Sequence, residues 1–192
     1  MKKNFLYIAA AAVLGFSSCV ELDRFPLEEL SDASFWKSPT DAEMAVSDLY
    51  PSLPSIYDVD DAINSDDAVH GIKWAAGNVS KGIYDPQDQS WSGTYAVIRQ
   101  ANLILSKIDE IPDYDTAEKN KVLGQTYFFR AFHYFDLIRT FGDVPYIDKP
   151  LTLADQEGIT RTARAEVYTK MMADFDKAIE YLPVTWDGAN YG

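Results

Sequence analysis

The residues with the most chemical promise stand between Asp58 and Gly93, where Asp, Gly, Asn and Ser are dense and Trp74, Tyr84 and Trp91 interrupt them. Trp74 has Asp67 and Lys73 before it and Asn78, Lys81 and Tyr84 after it. An aromatic face beside carboxylate, amide and ammonium groups suits a sugar ring, whose C–H face is apolar and whose rim carries hydroxyls. Asp67, Lys73, Trp74, Asn78 and Tyr84 are therefore the candidate ligand-binding residues. The alternative, equally open from the sequence, makes Trp74 a staple that pins a long loop to a helical core. Long irregular segments inside a compact domain are uncommon and often functional.

Other chemistry is thinner. Asp58, Asp60, Asp61, Asn64, Asp66 and Asp67 resemble a run of calcium ligands, but Ile63 stands where the sharp-turn Gly belongs and Val69 where the bidentate Glu belongs. That excludes an ordinary EF-hand and leaves an irregular calcium site open; no other cofactor is expected. No Gly-rich phosphate loop, G-x-S-x-G elbow or H-E-x-x-H stretch is present. His70 and His133 are too far apart in sequence to form a local zinc pair. Carboxylates on so acidic a chain are mostly solvated rather than catalytic, and the sequence reads as a non-enzymatic protein.

The first residues carry a targeting signal. Lys2-Lys3, an apolar run from Phe5 to Phe16 and the small pair Ser17-Ser18 have the layout of a secretory signal peptide. The run is shorter than the about 20 apolar residues that span a bilayer. Cys19, the single cysteine, follows the small pair. This places a lipoprotein signal peptide at residues 1–18, lipidation on the Cys19 thiol, an acidic tether over residues 19–30 and one domain over residues 31–192. With Cys19 acylated, no thiol is left for a disulfide or a nucleophile. The formal charge of −13 argues against nucleic acid as a partner, since that binding needs a basic footprint. It also leaves acyl chains, rather than protein charge, as the attachment to a membrane.

These side chains must be held by helices. Ser38-Pro39-Thr40-Asp41 supplies a cap, a proline at the first turn and an acid, and predicts a first helix from about Thr40 to Leu53 with Ala42, Ala45, Val46, Leu49 and Tyr50 on its apolar stripe. Trp91, Tyr95, Ile98, Asn102, Leu105 and Ile108 recur at helical steps until Pro112 and predict a second, with Trp91 in the core. A third runs from near Thr116 to Phe141, stopped by Gly142 and apolar on most of its circumference, with Phe132 and Phe135 expected in the core. Arg130, His133, Asp136 and Arg139 break that surface at three-residue steps and are expected to be paired groups between packed helices, as Asn102 is expected to be a tie. After an extended Val144-Pro145-Tyr146-Ile147, a fourth helix spans about Arg164 to Leu182, its Phe175, Ala178 and Pro183 spaced as in a tetratricopeptide helix. The fold class is all-α: irregular helical packing with tetratricopeptide-like helix pairs and a long irregular loop segment.

Four stretches in this order, Phe35-Trp36-Lys37-Ser38-Pro39-Thr40-Asp41-Ala42, Trp91 through Tyr95 and Ile98 to Ala101-Asn102, Gly124 through Arg130 and His133 to Gly142-Asp143-Val144-Pro145, and Glu166-Val167-Tyr168 through Ala178 to Leu182-Pro183, resemble the N-terminal half of the SusD/RagB family. The resemblance implies a lipid-anchored outer-membrane protein facing the cell exterior, of the Bacteroidota type. It further implies a non-catalytic role, the capture of glycans and their delivery to a SusC-like TonB-dependent transporter. Family members are usually longer, so the chain is expected to be a SusD-like portion incomplete at its C-terminus. A helical scaffold that holds a peptide or protein is the competing function.

Overall fold

The computed structural model describes residues 35–54, 82 and 91–186. From Trp36 onward these residues belong to one compact unit. Cys19, the acidic run from Asp58 and the candidate residues Asp67, Lys73, Trp74, Asn78 and Tyr84 lie outside the described residues.

Four α-helices are present among the described residues: α1 (Pro39–Ser47), α2 (Trp91–Lys107), α3 (Thr116–Phe141) and α4 (Arg164–Tyr181). None is long and apolar enough to cross a membrane. The Asp41 carboxylate opens α1 by accepting the Ser38 N–H and hydroxyl, each at 2.8 Å, and these bonds hold its pKa below the usual carboxylate value. The α-helix stops at Ser47, and a 3-10 turn over Tyr50–Ser52 follows in place of the continuous helix to Leu53 that the sequence suggests. Pro51 explains the change: it disfavours helical backbone at the residue before it and has no N–H to donate. Tyr50 consequently leaves the core stripe and is 48% exposed.

The third helix has the expected bounds. Asp115 accepts the N–H groups of Ala117 (2.9 Å) and Glu118 (3.1 Å), which caps α3 at its start. At its end Gly142 adopts φ +71°, a left-handed conformation that favours glycine, and its N–H returns to the Ile138 carbonyl. Gly124 has a different task. A Cβ there would stand 2.7 Å from Leu182 Cγ, so the missing side chain is what lets the end of α4 close onto α3.

The α3–α4 pair forms the largest helix interface, with α2 and α1 on the other sides of α3. Its centre is Ile98 from α2, Ala131, Tyr134, Leu137 and Ile138 from α3, Val144, and Val167 and Met171 from α4. Trp91 joins from the rim, its ring 5.1 Å from Tyr95 and 4.9 Å from Phe141, and α2 starts at Trp91, inside the segment read as irregular. Ala178 is buried and Phe175 packs edge-on against Phe128 of α3, as the tetratricopeptide-like spacing requires. Val144 pairs with Thr162 in an isolated antiparallel bridge, and no strand forms among the described residues.

Two core assignments on α3 are corrected. Phe135 is 46% exposed and Phe132 only half-buried, while Phe129, at 1% exposure, is the ring that α3 encloses. Three packed neighbours leave a strip of α3 uncovered, and Phe128 and Phe135, two turns apart, share it. Phe129→Ala is therefore expected to cost about 3–5 kcal/mol. Phe135→Ala should cost no more than about 1 kcal/mol. Urea unfolding of both variants checks this, and equal losses would contradict the burial pattern.

Candidate functional site

A polar chain runs through the middle of the helices. Arg130 of α3 makes a two-pronged contact with Asp174 of α4, Nε to Oδ2 and Nη2 to Oδ1, each at 2.7 Å. Its Nη1 donates to Asn102 Oδ1 of α2 at 2.8 Å. Asn102 Nδ2 then donates to the Ile147 carbonyl at 2.8 Å, and the Tyr134 hydroxyl both donates to that carbonyl (2.8 Å) and accepts the Ile147 N–H (2.7 Å). The Tyr95 hydroxyl donates to the Pro145 carbonyl at 2.7 Å. The extended segment from Val144 to Ile147 is thus docked by side chains of α2 and α3 that satisfy its backbone.

Burial works against the Arg130 charge, but the hydrogen bond and charge of Asp174 more than offset it and hold the guanidinium above its ordinary pKa. Both side chains are almost fully buried. Arg130 is therefore committed to structure, as the paired reading of its stripe anticipates, and Asn102 is the tie the sequence suggests. Asp136 and Arg139, further along the stripe, are part-exposed and pair with each other at 2.9 Å. Three-residue steps rotate away from the core along a 3.6-residue helix, which carries these two out to solvent.

His133 raises the question of catalysis because its Nε2 lies 2.8 Å from Ser52 Oγ. The Ser52 hydroxyl donates to the Leu49 carbonyl, so the imidazole must donate its N–H to the serine oxygen. A general base would take the serine proton, and this polarity is the reverse. The pair ties α3 to the turn after α1. Burial pushes the His133 pKa down from 6.5, with the Asp136 charge acting the other way. The unfolded chain then binds the proton more readily than the folded one. Stability should be full above about pH 6.5, fall as the pH drops below it, and level off beneath the folded pKa. Thermal melts of wild type and His133→Gln from pH 7 to about pH 5 check this; a wild-type curve no steeper than that of the variant would contradict it.

Surface clefts open on this frame. A groove of about 880 Å³ lies between α1 and α3 and carries Tyr50, Phe128, Phe129 and Trp186, with Lys121 and Gln125 at its edge. The Tyr50 hydroxyl bonds Gln125 Oε1 at 2.6 Å, and Lys121 Nζ stands 5.9 Å from the Trp186 ring centre. Aromatic surface edged with polar groups is the chemistry sought around Trp74. Sequence reading missed it, because Tyr50 sits on a stripe that looks like core and Trp186 stands alone after Pro183. The second cleft, about 350 Å³, is lined by Tyr127, Tyr146, Arg130, Asp148, Lys170 and Lys177 among others. Among the described residues no three His, Cys, Asp or Glu side chains are placed to hold a metal ion.

These features define a helical scaffold of tetratricopeptide-like pairs with aromatic-lined surface clefts. The SusD-like_3 family, described as starch-binding and associating with the outer membrane, matches residues 38–191, and the chain belongs to this SusD-like family. It is 32% identical to SusD-like protein P2 and 31% identical to SusD-like protein P38, both of Formosa agariphila. Those alignments cover 95% and 94% of this chain but 39% and 37% of the relatives, so the chain spans less than two-fifths of their length. A SusD-like protein of Bacteroides fragilis superimposes with a TM-score of 0.72 at 26% identity, covering 88% of this chain and 34% of that one. A solved structure described as a laminarin-binding SusD-like protein superimposes with a TM-score of 0.71 at 24% identity over 81% of this chain and 37% of the other, a likeness of fold.

Proposed function

We propose that the protein is a non-catalytic, lipid-anchored outer-membrane lipoprotein that captures glycans at the cell surface and passes them to a SusC-like TonB-dependent transporter. The observation that carries this reading is the family match over residues 38–191, which encloses both the helical frame and the segment around Trp74. Family membership supports association with the outer membrane and starch-like ligands. The layout of residues 1–18 supports an anchor at Cys19. In this reading Trp74 is a platform for a sugar ring, with Asp67, Lys73, Asn78 and Tyr84 bonding to hydroxyls at its rim. The helices supply a rigid base, and the buried Arg130–Asp174–Asn102 chain keeps that base from repacking.

Calorimetry of the purified protein with a neutral glucan panel tests the capture. Trp74→Ala should lower affinity by about 1–3 kcal/mol, the scale of a nucleobase stacked on an aromatic side chain, and leave the melting temperature almost unchanged. A strongly destabilised variant with intact affinity would make Trp74 a staple and move the site elsewhere. Labelling cells with a fatty-acid analogue tests the anchor. Label should be lost in Cys19→Ser, and label that persists would overturn lipidation at that thiol.

A further inference from the structure

The smaller cleft carries a charge pattern at odds with the rest of the chain. The protein has a formal charge of −13, yet Lys170 and Lys177 of α4 both stand at the lip of this cleft. Each ammonium is seated on a tyrosine. Lys170 Nζ lies 4.8 Å from the Tyr146 ring centre, and Lys177 Nζ lies 4.7 Å from that of Tyr127 and donates to its hydroxyl at 3.3 Å. Lys107, Lys119, Lys121 and Lys149 behave differently, each having a carboxylate oxygen at 3.0 Å or less. The nearest carboxylate to Lys170 is Glu166, at a loose 3.7 Å.

The tyrosines are themselves fixed from behind. Tyr146 stacks on buried Tyr134 at 4.8 Å, and Tyr127 stacks on Tyr181 at 6.0 Å. The floor of the cleft is the Arg130–Asp174 pair, whose charges are spent on each other. What faces a ligand is therefore two ammonium groups held on tyrosine rings, Lys170 with Glu166 loosely beside it, and the Asp148 carboxylate as a hydrogen-bond acceptor. Lys170 and Lys177 are two helical turns apart, about 10.5 Å along α4. Their backbone positions thus give the cleft two separate anchoring points rather than one.

We infer that this cleft is a second subsite, specific for acidic oligosaccharides whose carboxylate or sulfate groups sit on non-adjacent sugars. One acidic group meets Lys170, another meets Lys177, and a hydroxyl of the intervening sugar reaches Asp148. The inference rests on the glycan-capture reading and adds a substrate class to it. The strong overall negative charge opposes a long polyanion at a distance, and salt screens that opposition beyond about 8 Å, so the contacts with the two ammoniums are local ones.

Calorimetry on the full chain with oligogalacturonate, a sulfated oligogalactan and neutral laminarin tests this, at low and at physiological salt. At least one acidic probe should bind more tightly than laminarin and weaken as salt rises; which of the two does so identifies the acidic group. The double variant K170Q/K177Q should lose roughly tenfold in affinity for that probe, the worth of two partly exposed ion pairs, along with most of the salt dependence. Its laminarin affinity and melting temperature should stay at wild-type values. Acidic binding unchanged in K170Q/K177Q, with laminarin binding still sensitive to Trp74→Ala, would overturn the subsite and leave the capture reading standing. Failure of all three glycans to bind would overturn both. Competition by poly-glutamate as strong as by the acidic sugar would overturn the saccharide assignment in favour of an acidic peptide.

Discussion

The constraint on which the structure depends is the buried charge of Arg130. A guanidinium taken out of water must find its partners inside, and the partners available are few. Asp174 accepts two of its hydrogen bonds from α4, and Asn102 accepts a third from α2. These bonds tie the three helices to the register in which they meet. Asn102 then hands the constraint on to Ile147, where the Tyr134 hydroxyl completes the backbone bonding. An apolar residue in place of Arg130 would leave Asp174 and Asn102 buried without that partner, so the network is specific as well as stabilising.

Packing works within that register. Gly124 lets the end of α4 approach α3 closely, and the small residues Ala131 of α3 and Ala178 of α4 are both buried. Each cleft is a by-product of how the elements meet. The larger groove opens because Pro51 ends α1 early and turns Tyr50 outward toward Gln125. The smaller one opens where the docked Tyr146 segment runs past α4, and its two lysines lie against aromatic faces there. Tyr146 is thus held from the core by Tyr134 and turned to the surface by Lys170.

Much of this was legible in the sequence wherever a local signal decided the outcome. The end of α3 follows from Gly142, and the start of α1 from Ser38, Pro39 and Asp41. The roles of Arg130 and Asn102 also followed, since polar groups in an apolar pattern are normally paired. What was not legible depended on how many neighbours a helix acquires. A sequence apolar all round predicts burial all round, yet α3 leaves Phe128 and Phe135 in contact with solvent. The partner of Arg130 was equally hidden, because Asp174 is one acidic residue among 30 and only the tertiary fold selects it. The pinning of Lys170 and Lys177 on tyrosines from different elements has no sequence signature at all.

Urea unfolding of Asp174→Ala, with the exposed neighbour Asp176→Ala as control, tests the central claim most directly. If the Arg130 network sets the register of the helices, Asp174→Ala should lose about 3–5 kcal/mol, because it strands a buried guanidinium. Asp176→Ala should then stay within about 0.5 kcal/mol of wild type. Equal and small losses in the two variants would contradict the account and show that apolar packing alone holds the helices together.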